Sequence, residues 1–173
     1  MDGTEDGVDM ILQQWQTVRP GLDCSPMGVV GRLSRASRLL ERGVKEEFAR
    51  HGLEPWEFDV LATLLRSGPP HTLTAGELST ASMVSSAALT NRVDRLVDKG
   101  LVDRAVDPAH RRRVLVSLTE RGMRLVDDAL GHHLANERRL LEGLSAADRE
   151  QLTDLLRRLL VSLGDTGRAE PDR

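Results

Sequence analysis

A change of hydrophobic period at Gly100 constrains this chain more than any other feature. Before it, "SSAALTNRVDRLVDKG" repeats apolar residues at helical spacing, with Leu89, Val93 and Leu96/Val97 on one side. After it, "LVDRAV" and "VLVSLT" are short and rich in β-branched residues, and "DPAHRRR" separates them. That alternation reads as a hairpin with an Asp-Pro turn at its tip. At Thr119 the helical period returns. A helix that hands over at once to a hairpin, and a hairpin that hands back to a helix, leaves few folds to choose from.

Upstream, "TAGEL" predicts a short helix, with Thr74 as N-cap and Glu77 reaching back three residues later in a capping box. Ser85 is a cap candidate for the next helix. Two helices, a tight turn and a second helix with polar and basic residues near its start form a helix-turn-helix pattern. With the hairpin behind it, the pattern becomes a winged helix-turn-helix, mainly α with a small β wing. Residues 7–18 predict a first short helix bearing Trp15. Residues 27–51 predict a long one closed by His51-Gly52, and Pro55 opens the next as a first helical residue. Met123, Val126, Leu130 and Leu134 mark one face of a helix after Thr119, continued by Leu141 and Leu144. Ser145 and Asp148 open a last, leucine-rich helix that Gly164 ends. The expected organisation is an N-terminal helix and linker (1–24), a long helix (25–53), a winged helix-turn-helix lobe (54–118), C-terminal helices (119–165) and a disordered tail (166–173).

Charge points the same way. The chain carries 24 Lys+Arg against 27 Asp+Glu. Residues 91–113 nevertheless hold seven positive and four negative side chains, a basic island on an acidic body. Such an island suits a polyanion better than the net charge suggests. Scarce aromatics and the absence of tyrosine argue against single-stranded nucleic acid, which needs stacking platforms. Duplex DNA fits: the major groove admits one helix, whose first turns reach base edges. Ser85, Ser86, Thr90 and Asn91 supply short hydrogen-bonding side chains there, and Arg95 faces phosphate or guanine. At the wing tip, Arg111, Arg112 and Arg113 suit a narrow minor groove, where negative potential is concentrated; alternate side chains of an extended tip diverge, so the three divide among groove, phosphate and bracing of the hairpin.

"DKGLVDR", "DPAHRRR" and "VSLTERG", in this order behind a helix-turn-helix, resemble the MarR family of transcription regulators across roughly residues 30–165. The resemblance implies an obligate homodimer, with 25–53 and 119–165 as its dimerisation helices and 54–118 as the DNA-binding lobe, in which two winged lobes bind a palindromic operator, with repression as the default. It assigns the minor-groove arginine to Arg112, with Arg111 beside it. His110 departs from the family pattern, which has an acid there that braces the wing arginines. Trp15, Asp59 in "FDVLATLLRSGPP", Arg92 in "LTNRVDRL" and Arg104 in "GLVDR" are similar to the ligand signature of the urate-responsive branch. That narrower resemblance implies a small anionic effector acting on the helix that carries Arg92. An arginine fork and an indole face suit a planar anion. Citrate-like and phenolic acids are the alternatives, and Asp59 with Arg92 also reads as a plain interhelical ion pair.

Two further readings compete. Cys24, the sole cysteine, excludes an intrachain disulfide framework. The family resemblance places it near the reactive cysteine of oxidation-sensing members, which hold that thiol with tyrosines that this chain lacks. Asp128/His132 and His133/Glu137 are i,i+4 pairs with metal-ligand chemistry, which Asp127 or His110 would extend; a solvated helix face is the plainer reading, and no metal or other cofactor is expected. No phosphate loop, Gly-x-Ser-x-Gly motif or nucleophile–base pair indicates an enzyme. No apolar run approaches membrane-spanning length and the acidic N-terminus is unlike a signal peptide, so a cytoplasmic protein is expected.

Overall fold

The computed structural model describes residues 5–82 and 86–165. The elements run α1 (Gly7–Val18), α2 (Ser25–Arg50), α3 (Pro55–Arg66), β1 (Thr72–Thr74), α4 (Ala75–Ala81), α5 (Ser86–Asp98), β2 (Val102–Val106), β3 (Val114–Leu118), α6 (Glu120–Leu140) and α7 (Ala146–Ser162). The chain divides into two compact units, residues 1–43 and 44–173.

In the first unit, Asp6 caps α1 and forms a capping box with Asp9. Arg32 on α2 holds both carboxylates, Nε to Asp6 Oδ2 at 2.8 Å and Nη2 to Asp9 Oδ1 at 2.6 Å. The Asp6 backbone N–H, and then Arg32, hold the Asp9 carboxyl below its usual range. Val8 is buried against Gly31, where a larger residue would crowd it. Ile11, Leu12, Met27 and Val30 line a groove of about 490 Å³ along the two helices.

The second unit contains the main core, built from Phe48, Leu61, Leu64, Leu78, Leu96 and Val116 with their neighbours. Phe48 and Phe58 stack at 4.3 Å between ring centroids. The end of α2 closes as the sequence predicts. Gly52 takes φ +69°, the Leu53 N–H donates to the Phe48 carbonyl at 3.0 Å, and the Gly52 N–H donates to that of Ala49 at 3.1 Å. Buried Glu57 accepts from the Glu54 N–H at 2.9 Å, and Lys99 Nζ lies 2.7 Å from its carboxylate. The far end of α5 is thereby pinned to the start of α3.

The sheet is antiparallel in the order β1-β3-β2, with Leu73 opposite Val116 and Arg104 opposite Val116 on the other side. The expected two-stranded hairpin is present, and β1 adds a third strand. β1 escapes sequence reading because its three residues are too short to show a period, and Thr74 serves at once as strand end and helix cap. Val97 and Leu134 are exposed in the single chain, and α7 buries no residue, so the leucine face expected to serve dimerisation is open. The expected cap at Ser85 and the 166–173 tail lie outside the described residues.

Candidate nucleic-acid interface

The geometry starts at Thr74. Its hydroxyl accepts from the Glu77 N–H at 3.2 Å, and Glu77 Oε2 accepts from the Thr74 N–H at 2.8 Å. Those two bonds start α4, whose Leu78 is fully buried. On α5 the pattern i, i+4, i+7 buries Leu89, Val93 and Leu96. Thr90, Asn91, Asp94 and Arg95 are left on the exposed side. Ser86 is the first residue of the helix.

Two arginines of α5 converge on one ring. The guanidinium carbons of Arg92 and Arg95 lie 5.5 and 5.4 Å from the Trp56 ring centroid, within cation–π range. Sequence reading passed over Trp56 in favour of Trp15. The available signal was its place one helical turn before Asp59, on the same side of α3. The Asp59 carboxyl is pushed above its ordinary range. Desolvation is the main cause, although the residue as a whole has an exposed edge; Arg66, Arg92 and His133 oppose it. Asp59 and Arg92 therefore share one electrostatic neighbourhood. Arg104 is held differently: its Nη1 lies 2.7 Å from Asp94 Oδ1, a tie from β2 to α5. Beside it, Thr90, Val93, Arg104 and Val116 line a cleft of about 180 Å³ between helix and wing. Trp15 stands exposed on α1 in the first unit, and the thiol of Cys24 is buried there.

The wing tip is organised by Asp107. Its N–H donates to the Arg113 carbonyl at 2.9 Å, closing the hairpin. Its carboxylate accepts from the Ala109 N–H at 2.8 Å, an Asx turn. The His110 N–H donates to the Asp107 carbonyl at 3.2 Å, and the Arg113 N–H to the His110 carbonyl at 2.7 Å. The loop is thus braced through backbone, and exposed His110 contributes by its main chain. The Arg113 charge acts on Glu77, helping hold that carboxyl low behind the larger effect of the Thr74 hydrogen bonds. Arg111 and Arg112 are exposed, with no side-chain hydrogen bond or ion pair among the described residues. They are two unneutralised charges on a fixed loop.

The base of the wing explains the rest of the motif. Gly100, at φ +65°, ends α5, and its carbonyl accepts from the Thr119 hydroxyl at 2.9 Å. The Leu101 carbonyl accepts from the Thr119 N–H at 3.2 Å. Thr119 Oγ1 in turn accepts from the Gly122 N–H at 2.9 Å, capping α6. "KGL" and "LTERG" are two halves of one latch.

A model of the MarR family matches residues 51–113, the span from the end of α2 to the wing tip. The transcriptional regulator PecS of Dickeya dadantii is 38% identical over 88% of this chain and 92% of its own length. The chain belongs to the MarR family. MhqR of Bacillus subtilis, another transcriptional regulator, is 32% identical over 73% of the chain and 86% of its own length. Among solved structures, a cysteine mutant of Escherichia coli MarR complexed with operator DNA superposes with a TM-score of 0.69. It is 27% identical over 81% of this chain and 99% of that one. AbsC of Streptomyces coelicolor gives 0.71 at 25% identity, over 84% and 97%.

The protein is a DNA-binding transcriptional regulator of MarR type, and its relatives are regulators, not enzymes. Among the described residues, no helix is long and apolar enough to cross a membrane.

Proposed function

We propose that the protein is a repressor that binds a palindromic duplex operator as a homodimer and lets go when a small planar anion of the urate type reaches α5. Thr90, Asn91 and Arg95, together with Ser85 and Ser86, read the major groove. Arg111 and Arg112 serve the minor groove and its phosphates. The ligand residues are Asp59, Arg92 and Arg104, with Trp15 assigned by resemblance to the urate-responsive branch.

One observation carries the ligand reading: Arg92 belongs to the helix that enters the groove, yet its charge is engaged by Trp56 and Asp59 on α3. An anion that recruits Arg92 competes with those partners and repels Asp59. The resulting shift of α5 acts on Asp94, and through the 2.7 Å ion pair on Arg104 and the wing. Helix and wing would then leave their grooves together.

The test is fluorescence anisotropy on duplex DNA from the gene's own upstream region, titrated with urate, citrate and a phenolic acid. Urate is expected to release the wild type. Arg92→Ala is expected to bind DNA and to ignore urate. Normal release of that variant by urate would overturn the assignment.

A further inference from the structure

We propose a divalent metal site of the zinc class between the end of α2 and the middle of α6, with Glu47, His51 and His132 as protein ligands. The sequence suggests metal chemistry along α6, extended at most to His110 in the wing. In the fold, Asp128/His132 separates from His133/Glu137. His133 packs its ring at 4.8 Å from Phe48 and 5.2 Å from Phe58, with Nε2 3.2 Å from Glu137 Oε1. Its role is packing. His132 instead meets two residues from α2 that the sequence gave no reason to join to it. Ligand atoms of Glu47, His51 and His132 all lie within 4.8 Å of one another.

The surroundings of His51 favour a metal over a simple ion pair. Its Nδ1 lies 3.2 Å from Asp128 Oδ2, which sets a carboxylate behind the ring, while Nε2 is turned to Glu47. A carboxylate behind an imidazole is the usual outer partner of a metal-bound histidine. Nε2 faces Glu47 Oε1 across 3.8 Å, too far for a hydrogen bond. Two ligands about 2.0–2.1 Å from a tetrahedral ion lie about 3.3 Å apart, so a small closure of this gap seats one. The other Glu47 oxygen is taken by Arg50 Nη1 at 3.1 Å, which fixes the carboxylate with Oε1 turned to His51. Glu47 is buried and His51 nearly so, whereas His132 is exposed and provides an entry side. Two imidazoles and one carboxylate suit zinc, with water completing the shell.

The experiment uses the untagged full chain, stripped with chelator, and zinc alone as probe, titrated against a chromophoric competitor. X-ray absorption then reads the shell. One ion per chain is expected, in a nitrogen and oxygen shell containing two imidazoles. His132→Ala, at an exposed position that leaves the core intact, is expected to abolish binding. Asp128→Asn is expected to weaken it roughly 10–100-fold. His110→Ala, in the wing, should bind as wild type. No competition for zinc, a sulfur ligand from Cys24, or unchanged affinity in His132→Ala would each overturn the site.

Discussion

At the residue scale, the tightest constraint is Gly122. A Cβ there would overlap the Leu101 carbonyl oxygen, with the Leu101 carbonyl carbon at 3.0 Å. The obstacle is backbone, so it cannot swing aside as a side chain would. The same carbonyl is already committed to the Thr119 N–H. Gly122→Ala must therefore push α6 off the base of the wing and stretch both bonds of the latch. Overpacking of this kind costs about 1–3 kcal/mol. The urea midpoint is expected to fall with little change in slope, since the surface exposed on unfolding stays the same. Gly131 offers the contrast within the same helix: nothing lies within 4 Å of its Cβ position, so Gly131→Ala should be neutral or mildly stabilising. Equal midpoints for the two variants would contradict the close approach at Gly122.

At the scale of elements, caps decide the short pieces. α4 has only seven residues, too few to hold by propensity, and depends on its capping box and on buried Leu78. The Glu77 carboxyl is held below its usual value of 4.5 by the Thr74 hydroxyl and N–H. A depressed folded value means stability that is complete above the unfolded value and is lost as pH falls through the folded one. Asp148 in the α7 box behaves likewise. Glu77→Gln should accordingly cost roughly half a kcal/mol at neutral pH and nothing once the wild-type Glu77 carboxyl is protonated, as read from urea midpoints across an acid series. A difference that persists in acid would mean that Glu77 acts by packing.

These boxes were legible because a cap is local: Thr74 with Glu77 and Ser145 with Asp148 each need only four residues. The hairpin was legible because its period differs from that of its neighbours. β1 was not, since three residues carry no period. Trp56 was legible only in part: its place one turn before Asp59 could be read, whereas its partners Arg92 and Arg95 come from another helix, and a cation–π contact leaves no spacing rule in sequence. The Glu47–His51–His132 cluster was hidden for the same reason, with two of its residues at the end of α2 and the third on α6, far apart in sequence.

At the scale of the whole molecule, the open apolar faces need a partner. Leu155, Leu160 and Leu163 on α7 are 50%, 49% and 74% exposed, and Val29 and Val30 on α2 are 60% and 65% exposed. Apolar faces of this kind are covered in stable soluble proteins, and a second copy of the chain covers identical faces at once. Light scattering should give twice the chain mass. Leu155→Glu with Leu160→Glu buries two carboxylates in that interface and should yield monomer, while the second unit, whose core touches neither residue, keeps its fold. DNA binding reports the same symmetry. In the proposed dimer each lobe brings one wing, so under the proposed DNA assignment Arg112→Ala removes a phosphate contact from both halves. The slope of log affinity against log salt should fall by about 0.9 per contact, hence by about 1.8 in the dimer and about 0.9 in a single bound lobe. The monomeric variant should bind the full operator more weakly, and half an operator about as well as one lobe of the wild type does. A double variant that stays dimeric would exclude α7 from the interface, and a salt slope unmoved by Arg112→Ala would remove that arginine from the DNA surface.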